Sequence, residues 1–170
     1  MAIEQKLLAW DGKSKIDIQA IFSSHCNESG FADKIIQLFT NAALQKGASW
    51  LLKAWLETGE QVTPAQIKTI YSQLNNLEHW ETKLHLLQCL PYMPVAEDER
   101  NDLHHFLRTT LTDTNKFIRA WSYNGFYELA KQYPEYRTET KQYFDMAMRD
   151  EPPSVKARIR NILKKDIFQE

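Results

Sequence analysis

His85 and Cys89 stand four residues apart in TKLHLLQCL (82–90), a spacing that on one helix face would offer an imidazole and a thiolate to a metal ion. No third ligand lies at a useful spacing, and Cys89 falls on the apolar side of the segment, so a packed thiol is expected and no metal or other cofactor. His104 and His105 are adjacent and therefore point to different sides of a helix. The chain holds no glycine-rich phosphate loop and no G-x-S-x-G elbow, so no catalytic residue is assigned. The remaining concentration of chemistry is DTNKFIRAWSYNGFYELAKQYPEY (113–136), where Trp121, four tyrosines and two phenylalanines surround Arg119 and two lysines. Aromatics interleaved with cations can stack bases and neutralise phosphates. They can equally bury a helix.

The elements that hold these residues must be built from 170 residues, enough for one domain with a real core. Lysine and arginine total 21 against 22 acids, a net charge of −1, so no global field draws the chain to nucleic acid or anionic lipid. Cys26 and Cys89 match no metal spacing and read as reduced thiols of a cytoplasmic protein. No apolar run approaches the roughly 18 residues of a membrane span, and no signal peptide is expected.

Apolar residues recur at intervals of three and four in IIQLFTNAAL (35–44), IKTIYSQLNNL (67–77), TKLHLLQCL (82–90) and DLHHFLRTTL (102–111). Alternating β-branched patterns are missing, so the expected fold class is all-α. TPAQ (63–66) reads as a helix start, with Thr63 as N-cap, Pro64 in the first turn and Gln66 closing a capping box. The acids Glu97, Asp98, Glu99 and Asp102 suit another helix N-terminus.

LTDTNKFIRAW (111–121) superposes on MRDEPPSVKAR (148–158) at an offset of 37 residues. Asp113 then falls on Asp150, Ile118 on Val155, Arg119 on Lys156, Ala120 on Ala157 and Asn124 on Asn161. A step back of 36 brings Thr82 and Lys83 to the same slots, and a further 30 brings Leu52 and Lys53. Each unit is an antiparallel helix pair that cannot bury its own apolar faces, so the pairs must stack as a solenoid. Pairs are expected at about 30–59, 63–93, 97–134 and 135–168 of a single domain, 1–170. An N-terminal cap, 1–29, carries one helix from about Ser14 to Ser24.

The pattern of Asp, four residues, a β-branched residue, then Arg or Lys and Ala resembles that of HEAT-type repeats, over about residues 30–168. The resemblance implies an α-α superhelix whose second helices line a concave face, with the Asp and basic slots linking neighbouring repeats. Those linking slots would be Asp113 with Arg119 and Asp150 with Lys156, and Lys83 in the second pair, which lacks the Asp.

Counting slots from Leu52, Thr82, Ile118 and Val155, slots one, five, eight and twelve share a core face. Slot four meets the adjacent repeat and holds Trp55, His85, Trp121 and Arg158. Slots three, seven and ten point to the inner groove, with the polar row Thr58, Gln88, Asn124 and Asn161, and with Tyr127 and Lys164. The expected partner-binding groove is therefore Trp55, His85, Gln88, Trp121, Asn124, Tyr127, Asn161 and Lys164. The basic cluster Lys156, Arg158, Arg160, Lys164 and Lys165 reads as a solvated end helix.

These readings point to a non-catalytic scaffold that takes a protein or peptide in its concave face. The alternative is a nucleic-acid-binding enzyme resembling the HEAT-like alkylpurine DNA glycosylases, which use a concave aromatic and cationic face with a carboxylate. The net charge and the lack of a concave Asp argue against it. A resemblance to the HEAT-like bilin lyase subunits has no specific residue to carry it.

Overall fold

Ten α-helices and short 3-10 turns make up the chain in a computed structural model, which describes residues 2–165. No strand occurs among the described residues, so the fold is all-α. Packing divides it into two compact units, residues 1–93 and 94–170.

The first unit contains α1 (Ile3–Ala9), α2 (Lys15–His25), α3 (Phe31–Gln37), α4 (Ala42–Glu57), α5 (Pro64–Gln73) and α6 (Trp80–Cys89). Helix α4 is its hub, packing against α1, α2, α3 and α6. It can do so because Leu44, Ala48, Leu51, Leu52 and Leu56 are joined on its buried surface by Gly47 and Ser49. A methyl group at position 47 would lie 2.7 Å from Leu7 Cδ2, so the glycine is what lets α1 seat on α4. Helix α1 was not legible in the sequence: seven residues give only two buried contacts, Ile3 and Leu7, too few to establish a period. Ser14 caps α2, its hydroxyl accepting from Asp17 N at 3.2 Å. The capping box of α5 is complete, with Thr63 Oγ1 accepting from Gln66 N at 3.2 Å and Thr63 N donating to Gln66 Oε1 at 2.9 Å. Such a cap stabilises a helix by about 1 kcal/mol.

The second unit contains α7 (Arg100–Leu111), α8 (Lys116–Gln132), α9 (Arg137–Asp150) and α10 (Pro153–Leu163). Glu99, in the acidic turn before α7, reaches back to accept from Ala96 N at 3.2 Å. Helix α8 packs against α7, α9 and α10. Asp113 accepts from Asn115 N at 2.8 Å, and the Asn115 side chain then caps α8 at Phe117 N, also 2.8 Å. The core slots behave as the register requires. Ile118, Ser122, Gly125 and Leu129 of α8 are buried, as are Thr82, Leu86, Cys89 and Met93 along and just beyond α6. Ser122 Oγ sits 2.7 Å from Thr110 Oγ1, tying α7 to α8 inside the core.

One kind of link recurs in both units. Side chains about one repeat apart in sequence bond to each other: Gln66 Nε2 to Asp33 at 2.7 Å and Lys46 to Glu81 at 2.9 Å in the first unit. In the second, His104 Nε2 meets Glu139 at 2.7 Å and Arg119 Nε meets Glu151 at 2.9 Å. Glu139 also accepts from Arg108 Nε at 2.8 Å and from the Tyr143 hydroxyl at 2.7 Å, and Arg100 pairs with Glu135. Thus the first helices, α7 and α9, carry a polar ladder of their own.

Candidate functional site

Arg119, expected beside the Asp113 carboxylate, takes a different set of partners. Its Nη1 donates to the backbone carbonyls of Asp113 (2.9 Å) and Thr114 (3.0 Å), while Nε donates to both carboxylate oxygens of Glu151. Asp113 spends its own carboxylate on the turn, so the acid in the next turn supplies the bridge. Asp150 is exposed, and Lys156 and Lys83 are half-buried on α10 and α6.

His85 lies in slot four of α6 and reaches α4, its Nδ1 2.8 Å from Ser49 Oγ. This is a nucleophile and a base brought together in space, and its chemistry is inert. Ser49 is fully buried and donates its one proton to the Lys46 carbonyl at 3.0 Å, so the imidazole donates from Nδ1 rather than activating the hydroxyl. Burial pushes the imidazole down to about 4, with Glu81 opposing and Lys53 and Lys46 assisting. Cys89, one turn on, is fully buried, and burial raises its thiol far above the usual range. The Cys89 thiol is thus sealed in the core, and it and His85 do not share a metal. Among the described residues no three His, Cys, Asp or Glu side chains gather as a metal site.

Trp55 packs on Phe31 of its own pair, ring centroids 6.3 Å apart, at the edge of a groove of about 440 Å³. Ala54 and Thr58, its inward neighbours in the slot count, line a separate groove against α2. Gln88 is half-buried on α6.

In the second unit the expected residues converge. Trp121 and Arg158, both in slot four and 37 residues apart, meet across the α8–α10 seam with the guanidinium 4.1 Å above the indole. Asn124 and Asn161, both in slot seven, line one groove of about 350 Å³ with Ser154, Ala157, Ile162 and the two cations Arg158 and Lys165. Lys165 Nζ lies 4.4 Å from the centre of the Tyr127 ring, and Lys131 Nζ lies 5.5 Å from it. Lys164 is exposed at the end of α10.

Burial differs from the slot count on α8. Ala120, Asn124 and Tyr127 were expected to face solvent, yet they are only 7%, 7% and 6% exposed. The cause is α10, which lies over them; Ala120 and Tyr127 join Phe144, Val155 and Ile159 in one apolar cluster. Tyr127 is thus a packed ring with a cation on it. Asn124 is different, because its amide makes no hydrogen bond to any described residue and opens only to the groove. The amide atoms themselves keep access to solvent, so they are free to bond water or a ligand in the groove.

Both cations that line this groove, Arg158 and Lys165, were not assigned to it from sequence. The signal was present in the 37-residue offset, which put Arg158 on Trp121. Their place in a run of basic residues at the end of the chain disguised it.

No helix among the described residues is long and apolar enough to cross a membrane. No curated protein and no solved structure matches the chain. A family model described as a HEAT repeat domain matches residues 6–166, and helix pairs joined by contacts one repeat apart are the architecture it names. The chain belongs to the HEAT repeat domain family.

Proposed function

We propose that this helical-repeat scaffold is non-catalytic and holds a protein or peptide partner in the α8–α10 groove. The observation that carries the reading is Asn124: a side chain nine-tenths buried, without a hydrogen bond to any described residue, aimed into an open groove. Asn161 stands on the opposite helix with the same unspent amide. A primary amide both donates and accepts, which is what an extended peptide backbone offers in return. Among the described residues no carboxylate and no imidazole lines this groove, so the commonest general acids and bases are missing from its lining.

Panning a displayed random-peptide library against the whole chain tests this. Selected peptides should lose binding in Asn161→Ala and in Ala157→Trp, which fills the groove, while the thermal midpoint stays within a degree or so, both positions being exposed. Peptides that bind Ala157→Trp as well as the parent would sink the proposal.

A further inference from the structure

Two of the partly buried arginines of the second unit sit against an acid. Arg100 pairs with Glu135, Arg119 with Glu151, and the more exposed Arg108 with Glu139. Arg137 has an interaction of its own. Arg158 differs: it is half-buried, laid flat on Trp121, and without a carboxylate partner among the described residues. Lys165, the second cation of the groove, likewise sits on an aromatic ring and not on an acid. None of the seven described residues that line the groove is acidic. An aromatic face attracts the cation but accepts none of its N–H donors in the way a carboxylate does. The stack therefore orients the guanidinium without discharging its need for an anion.

We infer that the partner of the α8–α10 groove presents an acidic peptide segment, with a Glu or Asp carboxylate on Arg158, a second on Lys165, and backbone amide groups on Asn124 and Asn161. This rests on the peptide-binding reading above and narrows it. The lowered pKa of Arg158, caused by burial alone, agrees with a cation lacking acidic neighbours. An acidic peptide fits better than a single-stranded nucleic acid, which offers the same charge. Base stacking needs a bare aromatic face. Here Arg158 covers Trp121, and Lys165 and Lys131 both lie over the Tyr127 ring. What the groove leaves open is amides and cations.

The test is fluorescence anisotropy of the full chain with four labelled probes: short peptides of alternating Glu and Gly, Gln and Gly, or Lys and Gly, and an oligothymidylate. The Glu peptide should bind saturably, weaken as salt rises, and be preferred to the Gln peptide by about tenfold. Arg158→Gln should lower that affinity about tenfold and Lys165→Gln about threefold, with Arg158→Lys retaining part of it. Lys165 is exposed, so its variant keeps the test valid should Arg158→Gln disturb packing. Equal binding of the Gln and Glu peptides overturns the acidic preference and leaves a peptide groove. Binding of the Glu peptide that neither Arg158→Gln nor Lys165→Gln weakens moves it elsewhere and overturns the assignment. No binding of the Glu peptide overturns it as well, whatever the library selects. Tighter binding of the oligothymidylate, with displacement of the Glu peptide, overturns both readings.

Discussion

The groove beside Trp55 in the first unit and the groove beside Trp121 in the second are built from the same repeat, yet they treat charge in opposite ways. The first is lined by Glu28, Asp33 and Glu60 and by no lysine or arginine. Two of its acids are answered inside the chain. Glu28 lies 2.8 Å from His25 Nδ1 and takes a bond from Lys34, and the His25 hydrogen bond holds its carboxyl below the usual range. Asp33 accepts from Gln66. The second groove has the reverse sign and leaves Arg158 and Asn124 unanswered among the described residues. In a repeat protein the largest aromatics mark the seams between helices. The two grooves are told apart instead by which of their polar and charged groups the fold leaves unspent.

The comparison extends to what joins the repeats, and here the largest effect is expected. Arg119 and Glu151 are 19% and 11% exposed, against 26% and 33% for Lys46 and Glu81. Arg119→Met would leave a largely buried carboxylate without its cation and two turn carbonyls without a donor. A loss of about 3 kcal/mol is expected, read by urea unfolding with hydrogen exchange assigning the loss to α8–α10. Lys46→Met should cost about 1 kcal/mol, localised to α4 and α6. Equal losses would mean that the two units are held together alike.

What was legible follows from the same contrast. The all-α class, the N-cap at Thr63, the start of α2 near Ser14 and the buried slots of α6 and α8 could all be read from residue type and spacing, because they depend on neighbours three or four positions away. The slot-four meetings of His85 with α4 and of Trp121 with α10 depended on knowing the repeat, and the 37-residue offset supplied it. The exposure of Asn124 and Tyr127 could not be read. Both lie on the side of α8 away from its core slots, and whether that side is open depends on how closely α10 lies over it. Glu151 was likewise hidden: Asp113 and Asp150 hold the aligned position, but a carboxylate one residue further along has the reach to Arg119.

His85 supplies the next effect in size. Its folded pKa, about 4, lies below the ordinary 6.5, so between those values the unfolded chain binds a proton that the native chain refuses. Stability is then fully present above 6.5 and falls as pH drops toward 4. The residue should account for a loss of about 3 kcal/mol between neutral pH and the acid side of that window. His85→Gln keeps a donor for Ser49 and removes the titration, so its urea midpoint should depend less on pH by that amount. An unchanged pH slope in the variant would show that His85 ionises freely in the fold, and the α4–α6 seam would then be as open to charge as the α8–α10 groove.

The smallest effect bears on the acidic groove itself. Gln66 closes the cap of α5 through Thr63 N and also donates to Asp33, one repeat back. Gln66→Ala should cost about 1 kcal/mol, split between the cap and the cross-repeat bond. Asp33→Asn keeps an oxygen for Gln66 and removes only the charge. If the groove is satisfied by hydrogen bonding, that variant should lose less than half as much as Gln66→Ala. A loss as large as that of Gln66→Ala would mean that the carboxylate charge itself stabilises the fold, and the first groove could no longer serve as the satisfied counterpart of the second.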